Sequence, residues 1–190
     1  MAGHPTQEPA EGLLRRASAG EDAAFVELYR TYSRPVFTLA VRMLRQREAA
    51  EDVLQEVFLE LTRALPAYRG DGPFWAWLRR LAVNKVLMRI RAERSRITPG
   101  RYDDDAPDAQ PHPEDETGRA LLARDLGDAL DRLPALSRAV VWLHDVEGWT
   151  HQEIAAAMGR STSFSKSQLA RAHLKLRGLL EAGAYAASDN

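Results

Sequence analysis

A chain of 190 residues with 45% hydrophobic and 28% charged side chains has the composition of a folded protein of one domain or two small ones. Without cysteine it can form no disulfide framework, thiol nucleophile or zinc finger. It has no run of the roughly 20 apolar residues a membrane helix needs and no apolar core in the polar stretch Met1–Glu11, so a cytoplasmic setting without membrane insertion or a signal peptide is expected. The formal net charge of −1 conceals a pattern: residues 1–96 carry 16 Lys+Arg against 12 Asp+Glu, residues 97–130 carry 3 against 9, and residues 131–190 carry 7 against 6. Two basic stretches, Arg63 to Arg96 and Arg160 to Arg177, suit a polyanion or are solvated helix faces.

In chain order, residues 1–12 read as a flexible tail and 13–96 as a first all-helical domain. Phe25, Leu28, Tyr29 and Tyr32 recur at helical spacing. Val36, Leu39, Ala40, Met43 and Leu44 do so after Pro35, and Val53, Leu54, Val57, Phe58 and Leu61 form a third stripe. Pro66 and Gly70-Asp71-Gly72-Pro73 punctuate the chain before a fourth helix opens at Phe74, with Trp77, Leu78 and Leu81 expected in its core face. Residues 97–119 form an acidic, proline-rich linker expected to be flexible, because it holds too few apolar residues to offset its ordering entropy. Residues 120–182 form a second helical domain, broken at Leu133-Pro134 and resumed as a helix over Leu136 to Leu143, with a tail at 183–190. The fold class is therefore all-α, two small helical domains on a tether.

Within the first domain, Glu51, Asp52, Gln55, Glu56 and Glu60 share one side of the third helix. Such a face is either solvated or docks a basic protein surface. The fourth helix interleaves Trp75 and Trp77, with Tyr68 and Phe74 before them, among Arg79, Arg80, Lys85, Arg89 and Arg91. Rings that stack on bases beside cations that track phosphates suit single-stranded DNA. In the second domain Thr150-His151-Gln152-Glu153 is a capping box, Gly159 ends a short helix, and Ser161, Thr162 or Ser163 can cap the next one. A short helix, a tight turn and a longer basic helix make a helix-turn-helix, whose second helix enters the major groove with its N-terminal part, here Ser163-Phe164-Ser165-Lys166-Ser167-Gln168. Lys and Gln there can reach phosphates or base edges, and Gln168 is the candidate base reader.

Enzymatic function finds little support. His144, Asp145, Glu147 and His151 are the densest cluster of possible ligands, but Gly148-Trp149 interrupts the single helix a zinc site at i, i+4 spacing would need. There is no Gly-rich phosphate loop and no Ser nucleophile elbow, so no catalytic residue, metal or cofactor is expected.

Both halves resemble one family. Asp52-Val53-Leu54-Gln55-Glu56-Val57-Phe58 is similar to the core-polymerase-binding helix of bacterial sigma-70 factors. Tyr68-Arg69-Gly70 and Phe74 to Asn84 are similar to the helix that melts and reads the promoter minus-ten element, and Leu133-Pro134 to Leu180 to the domain that reads the minus-thirty-five element. Two such domains and a short linker are the layout of the extracytoplasmic function (ECF) group. The resemblance implies a transcription initiation factor, not an enzyme, with core RNA polymerase, promoter DNA and an anti-sigma factor as partners. It assigns Asp52, Leu54, Gln55 and Glu56 to polymerase, and Tyr68, Trp75, Arg79, Arg80, Asn84 and Lys85 to the minus-ten element, with Tyr68 and Asn84 framing a pocket for a flipped base. It assigns Ser163, Ser165, Lys166, Ser167, Gln168 and Arg171 to the minus-thirty-five element. The linker would thread near the polymerase active-site cleft, and the short C-terminus implies no built-in sensory domain. Ser163-Phe164-Ser165 replaces the family's Gly-Thr-Val-like start and Gln168 its Arg, which implies an altered upstream preference. The competing reading is a stand-alone helix-turn-helix regulator of duplex DNA, which accounts for the second domain but not the first.

Overall fold

The structure is a computed structural model and describes residues 8–97 and 126–188. Every regular element among them is helical, and the chain divides into two compact units between Arg91 and Ala92. The acidic linker expected over 97–119 lies, from residue 98 onward, outside the described residues.

The first unit contains α1 (Glu11–Ser18), α2 (Asp22–Leu44), α3 (Arg47–Ala64) and most of α4 (Phe74–Ile97), with a 3-10 turn at Leu65–Ala67. The stripes on either side of Pro35 lie on one continuous helix, α2. Proline removes a backbone donor and costs about 3 kcal/mol in a helix interior. Leu28, Tyr32, Val36, Leu39 and Met43 nevertheless share one buried face, each worth roughly 1.5–3 kcal/mol, and their sum outweighs the defect. Arg45 ends α2 in the left-handed region at φ 59°, its amide bonded to the Val41 carbonyl, and turns the chain into α3. Val53, Val57 and Leu61 of α3 are fully buried, and Phe58 receives ring contacts from Tyr29 at 4.7 Å and Phe25 at 6.2 Å. Phe74, Leu78, Ala82 and Val86, spaced by four, form the inner row of α4, with Tyr32 edge-on to Phe74 at 5.2 Å. The described part of the expected N-terminal tail is engaged rather than loose: α1 begins at Glu11, and Glu8 accepts a hydrogen bond from the Phe74 amide.

The second unit contains α5 (126–131), α6 (Ala135–Val141), α7 (His151–Met158) and α8 (Thr162–Ser188). The helix expected over Leu136 to Leu143 gives way at Trp142 to a π-helical turn, Trp142–Val146, closed by the Glu147 amide on the Trp142 carbonyl at 3.0 Å. Leu133, Val140, Leu143, Ile154, Leu169 and Leu176 build the core. Arg138 is buried among them at 5% exposure, where its guanidinium donates to the Leu133 carbonyl at 3.0 Å and so satisfies an acceptor at the end of α5. Residues 183–188, expected as tail, continue α8.

Candidate functional site

The acidic row of α3 lies beside α4. Asp52, Glu56 and Glu60 are spaced by four, so they align on one helix face. Asp52 pairs with Arg89 at 3.0 Å and Glu60 with Lys85 at 3.8 Å, which ties α3 to α4 at two points. These are solvent-accessible pairs, each worth about 0–1 kcal/mol, so they align the helices more than they stabilise them. Gln55 and Glu56 are exposed, Leu54 is half-buried, and Leu59 is 61% exposed on the same helix. The surface is thus acidic and amide-bearing with apolar side chains among the charges.

On α4, inner and outer rows separate cleanly. Arg80, Asn84, Met88 and Arg91 recur at spacings of four and three on the exposed side, with Arg79 and Lys85 half-buried on the flanks. Tyr68, in the loop before α4, leans on this helix: its ring lies 5.0 Å from Trp77 and 5.6 Å from Phe74, and its hydroxyl donates to the Gly72 carbonyl at 2.6 Å. Burial, then the charges of Glu8 and Asp71, raise the Tyr68 hydroxyl above its ordinary range. Trp77 was expected in the core and is only half-buried, since it sits at i+3 from Phe74, off the row spaced by four. Its spacing from Phe74 was the signal that the expected core placement overlooked. Trp75, also half-buried, stacks on Tyr32 at 6.0 Å with planes 15° apart. Trp77 and Asn84 are seven residues apart on one side of α4, about 10 Å along the axis.

In the second unit the expected capping box is present: the Glu153 amide donates to Thr150 Oγ1 at 3.2 Å, and the Thr150 amide to Glu153 Oε2 at 2.8 Å. Gly159, at φ 62°, ends α7, with the Arg160 amide on the Ala155 carbonyl. Ser161 caps α8 by accepting from the Phe164 amide at 3.2 Å. Ser163, Lys166, Ser167 and Arg171 lie on the exposed side of α8. Ser165 and Gln168 do not, contrary to expectation: both are buried, at 0% and 2% exposure. Position 168 lies on the row that includes Ala172, which packs on α6, so the Gln168 carbonyl oxygen accepts from the Ser137 hydroxyl at 3.1 Å. Gln168 as placed presents no amide edge to a base.

The histidines converge in this unit. Asp145 accepts from His144 Nδ1 at 2.8 Å and from His173 Nε2 of α8 at 2.6 Å, and the His144 and His151 rings stack at 4.7 Å. Burial alone would raise the Asp145 carboxyl, but the two histidine hydrogen bonds outweigh it and hold it below its ordinary range. His151 Nδ1 lies 3.0 Å from Ser165 Oγ, which joins the start of α7 to α8. Among the described residues, no group of three His, Asp or Glu is placed to hold a metal ion.

Comparison with known proteins agrees across most of the chain. Residues 28–96 match sigma-70 region 2, and residues 123–176 match sigma-70 region 4. The ECF RNA polymerase sigma factor SigE of Mycolicibacterium smegmatis is 34% identical over 93% of this chain and 70% of its own. The ECF RNA polymerase sigma-E factor of Escherichia coli is 31% identical over 84% of this chain and 88% of its own. Among solved structures, CnrH in complex with the cytosolic domain of CnrY matches with a TM-score of 0.53 at 27% identity, over 90% of this chain and 96% of that one. The sigma factor RpoE of Bartonella quintana, solved with the anti-sigma factor NepR, shares the fold, with a TM-score of 0.54 at 21% identity over 83% of this chain and 96% of that one.

Proposed function

The chain belongs to the ECF type of sigma-70 family RNA polymerase sigma factors, which direct polymerase to promoters for transcription initiation, and from that premise we propose which of its surfaces performs each step. The acidic row of α3, with Asp52, Leu54, Gln55 and Glu56, docks core polymerase. The exposed row of α4 takes the melted minus-ten strand: Tyr68 and Trp77 offer stacking surface, Arg80 and Arg91 track phosphates, and Asn84 reads a base edge. The exposed side of α8, with Ser163, Lys166, Ser167 and Arg171, lies in the major groove at the minus-thirty-five element.

The observation that carries this division is the separation of charge on adjacent helices of one unit. α3 presents acid outward, which repels DNA and suits a basic protein. α4, tied to it through Asp52–Arg89 and Glu60–Lys85, presents cations and rings, which suit a single strand. Such a unit can bring polymerase and an unpaired strand together. The setting is cytoplasmic, in keeping with these partners; no described helix is long and apolar enough to cross a membrane. An anti-sigma protein is a further partner in this reading; CnrH, to which the chain is similar, was solved with a bound protein, the cytosolic domain of CnrY.

Transcription by core polymerase with this chain on a random promoter library tests the reading. Tyr68→Ala and Asn84→Ala should each lower open-complex formation on duplex templates, and a pre-melted template should restore the rate more than the base preference. Wild-type activity of both variants on duplex promoters would remove this face from the minus-ten contact.

A further inference from the structure

The first turn of α4 contains no carboxylate of its own. Pro73 precedes it without a side-chain acceptor, and Phe74-Trp75-Ala76-Trp77 contains no acid. A helix start leaves four amides without intrahelical acceptors, and a carboxylate there is favoured by both hydrogen bonding and the helix dipole. The acceptor comes from 66 residues upstream: Oε2 of Glu8 lies 2.7 Å from the Phe74 amide nitrogen. A carboxylate only accepts when ionised, so the direction of this bond is unambiguous.

The same turn carries the rings of the proposed strand-binding face. Trp77 packs on Tyr68, and the Tyr68 hydroxyl closes the loop back onto Gly72. That loop contains Gly70 at φ 76°, Gly72 and Pro73, residues that leave its path to be set by contacts rather than by its own helical propensity. Glu8 is electrostatically close as well: after burial, its charge is the next cause that raises Tyr68, and together with Tyr68 it helps push Tyr32 up to about 12.

We propose that Glu8 is a positioning residue for promoter opening: by capping α4 from the segment before α1, it holds Tyr68 and Trp77 in the arrangement that receives an unstacked base of the melted strand. This rests on the assignment of α4 to the minus-ten element. It gives the segment before α1 a part in strand capture, although Glu8 itself acts through the helix start and the aromatic pair.

The test uses holoenzyme reconstituted from the full chain, on a promoter that the wild-type holoenzyme selects from a random library. Glu8→Ala should slow open-complex formation by roughly three- to tenfold, the scale of losing a charged helix cap. Glu8→Gln keeps an acceptor without the charge and should fall between Glu8→Ala and wild type. The fluorescence change of a 2-aminopurine placed at the captured minus-ten position should shrink in the same order, while competition for core polymerase stays at the wild-type level. Opening by Glu8→Ala at the wild-type rate, or faster, overturns the proposal. A parallel loss of core affinity overturns it too, because that would mean general damage to the first unit. If Tyr68→Ala and Asn84→Ala both open the same promoter at the wild-type rate, the underlying assignment of α4 fails instead.

Discussion

Single residues on this surface do more than one job, and substitutions separate the jobs. Asp52 faces solvent but also pairs with Arg89, so Asp52→Arg both reverses the docking charge and sets two arginines side by side. Glu56, one turn on and exposed, is the cleaner probe. Glu56→Arg should weaken core-polymerase binding about tenfold or more with an unchanged thermal midpoint, whereas Asp52→Arg should lower both, as competition binding and circular dichroism melts would show. A pH dependence follows from His151, whose imidazole is held below its ordinary range by partial desolvation and by the nearby His144 and Lys166. The unfolded chain then binds that proton more readily than the folded one. The stability His151 contributes is full above its ordinary pKa and is lost as pH falls through the window below it. Between about pH 7.5 and about pH 5.5 the melting midpoint should drop, and His151→Gln should make the drop smaller. An unchanged pH slope in the variant would place the titration elsewhere.

At the scale of elements, the helix-turn-helix is defined by its ends. α7 has only eight residues, too few to persist by propensity, so its boundaries depend on the capping box and on Gly159. A Cβ at Gly159 would meet nothing within 4 Å, which leaves the backbone at φ 62° as the only cost. Gly159→Ala should therefore destabilise the chain by about 1–2 kcal/mol, the penalty of a left-handed alanine. Thr150→Ala should cost about 1 kcal/mol by loss of the cap. Denaturant titrations would measure both, and a Gly159→Ala variant as stable as wild type would show that the turn relaxes. The cap residues were legible in the sequence because capping chemistry is local. The π-helical turn after Val141 was not: the apolar pattern of Leu136 to Leu143 fits an uninterrupted helix, and only packing of the following turn decides where it widens.

For the whole molecule, the proposed division of surfaces predicts two different encounters with DNA, one with a single strand on α4 and one with duplex on α8. The duplex contact is electrostatic in large part, so affinity should fall with salt by about 0.9 log units per log unit for each phosphate contact. Lys166→Ala should weaken duplex binding and reduce that slope by about 1 without changing the preferred sequence. A change of preferred upstream sequence in that variant would instead make Lys166 a base reader. The buried position of Gln168 moves the question of upstream preference to the exposed residues Ser163, Lys166, Ser167 and Arg171.

The sequence by itself determined the all-helical class, the capped helix-turn-helix, the acidic face of α3 and the basic aromatic character of α4. Each of these depends on residue type at fixed spacing along a single helix, and neighbours within a helix are set by its 3.6-residue repeat. Its motifs also carried the family resemblance that the comparisons bear out. Only the tertiary structure decided what a second element does to each position. Ser165 and Gln168 carry polar side chains that read as outward until His151 meets the Ser165 hydroxyl and Ser137 the Gln168 carbonyl oxygen from other helices. Trp77 turns half outward because Phe74 and Leu78 already fill the inner row. Glu8 finds its amide 66 residues away. Partners brought together by chain closure leave no periodic trace in the sequence, because burial of the apolar rows, not local spacing, fixes where they meet.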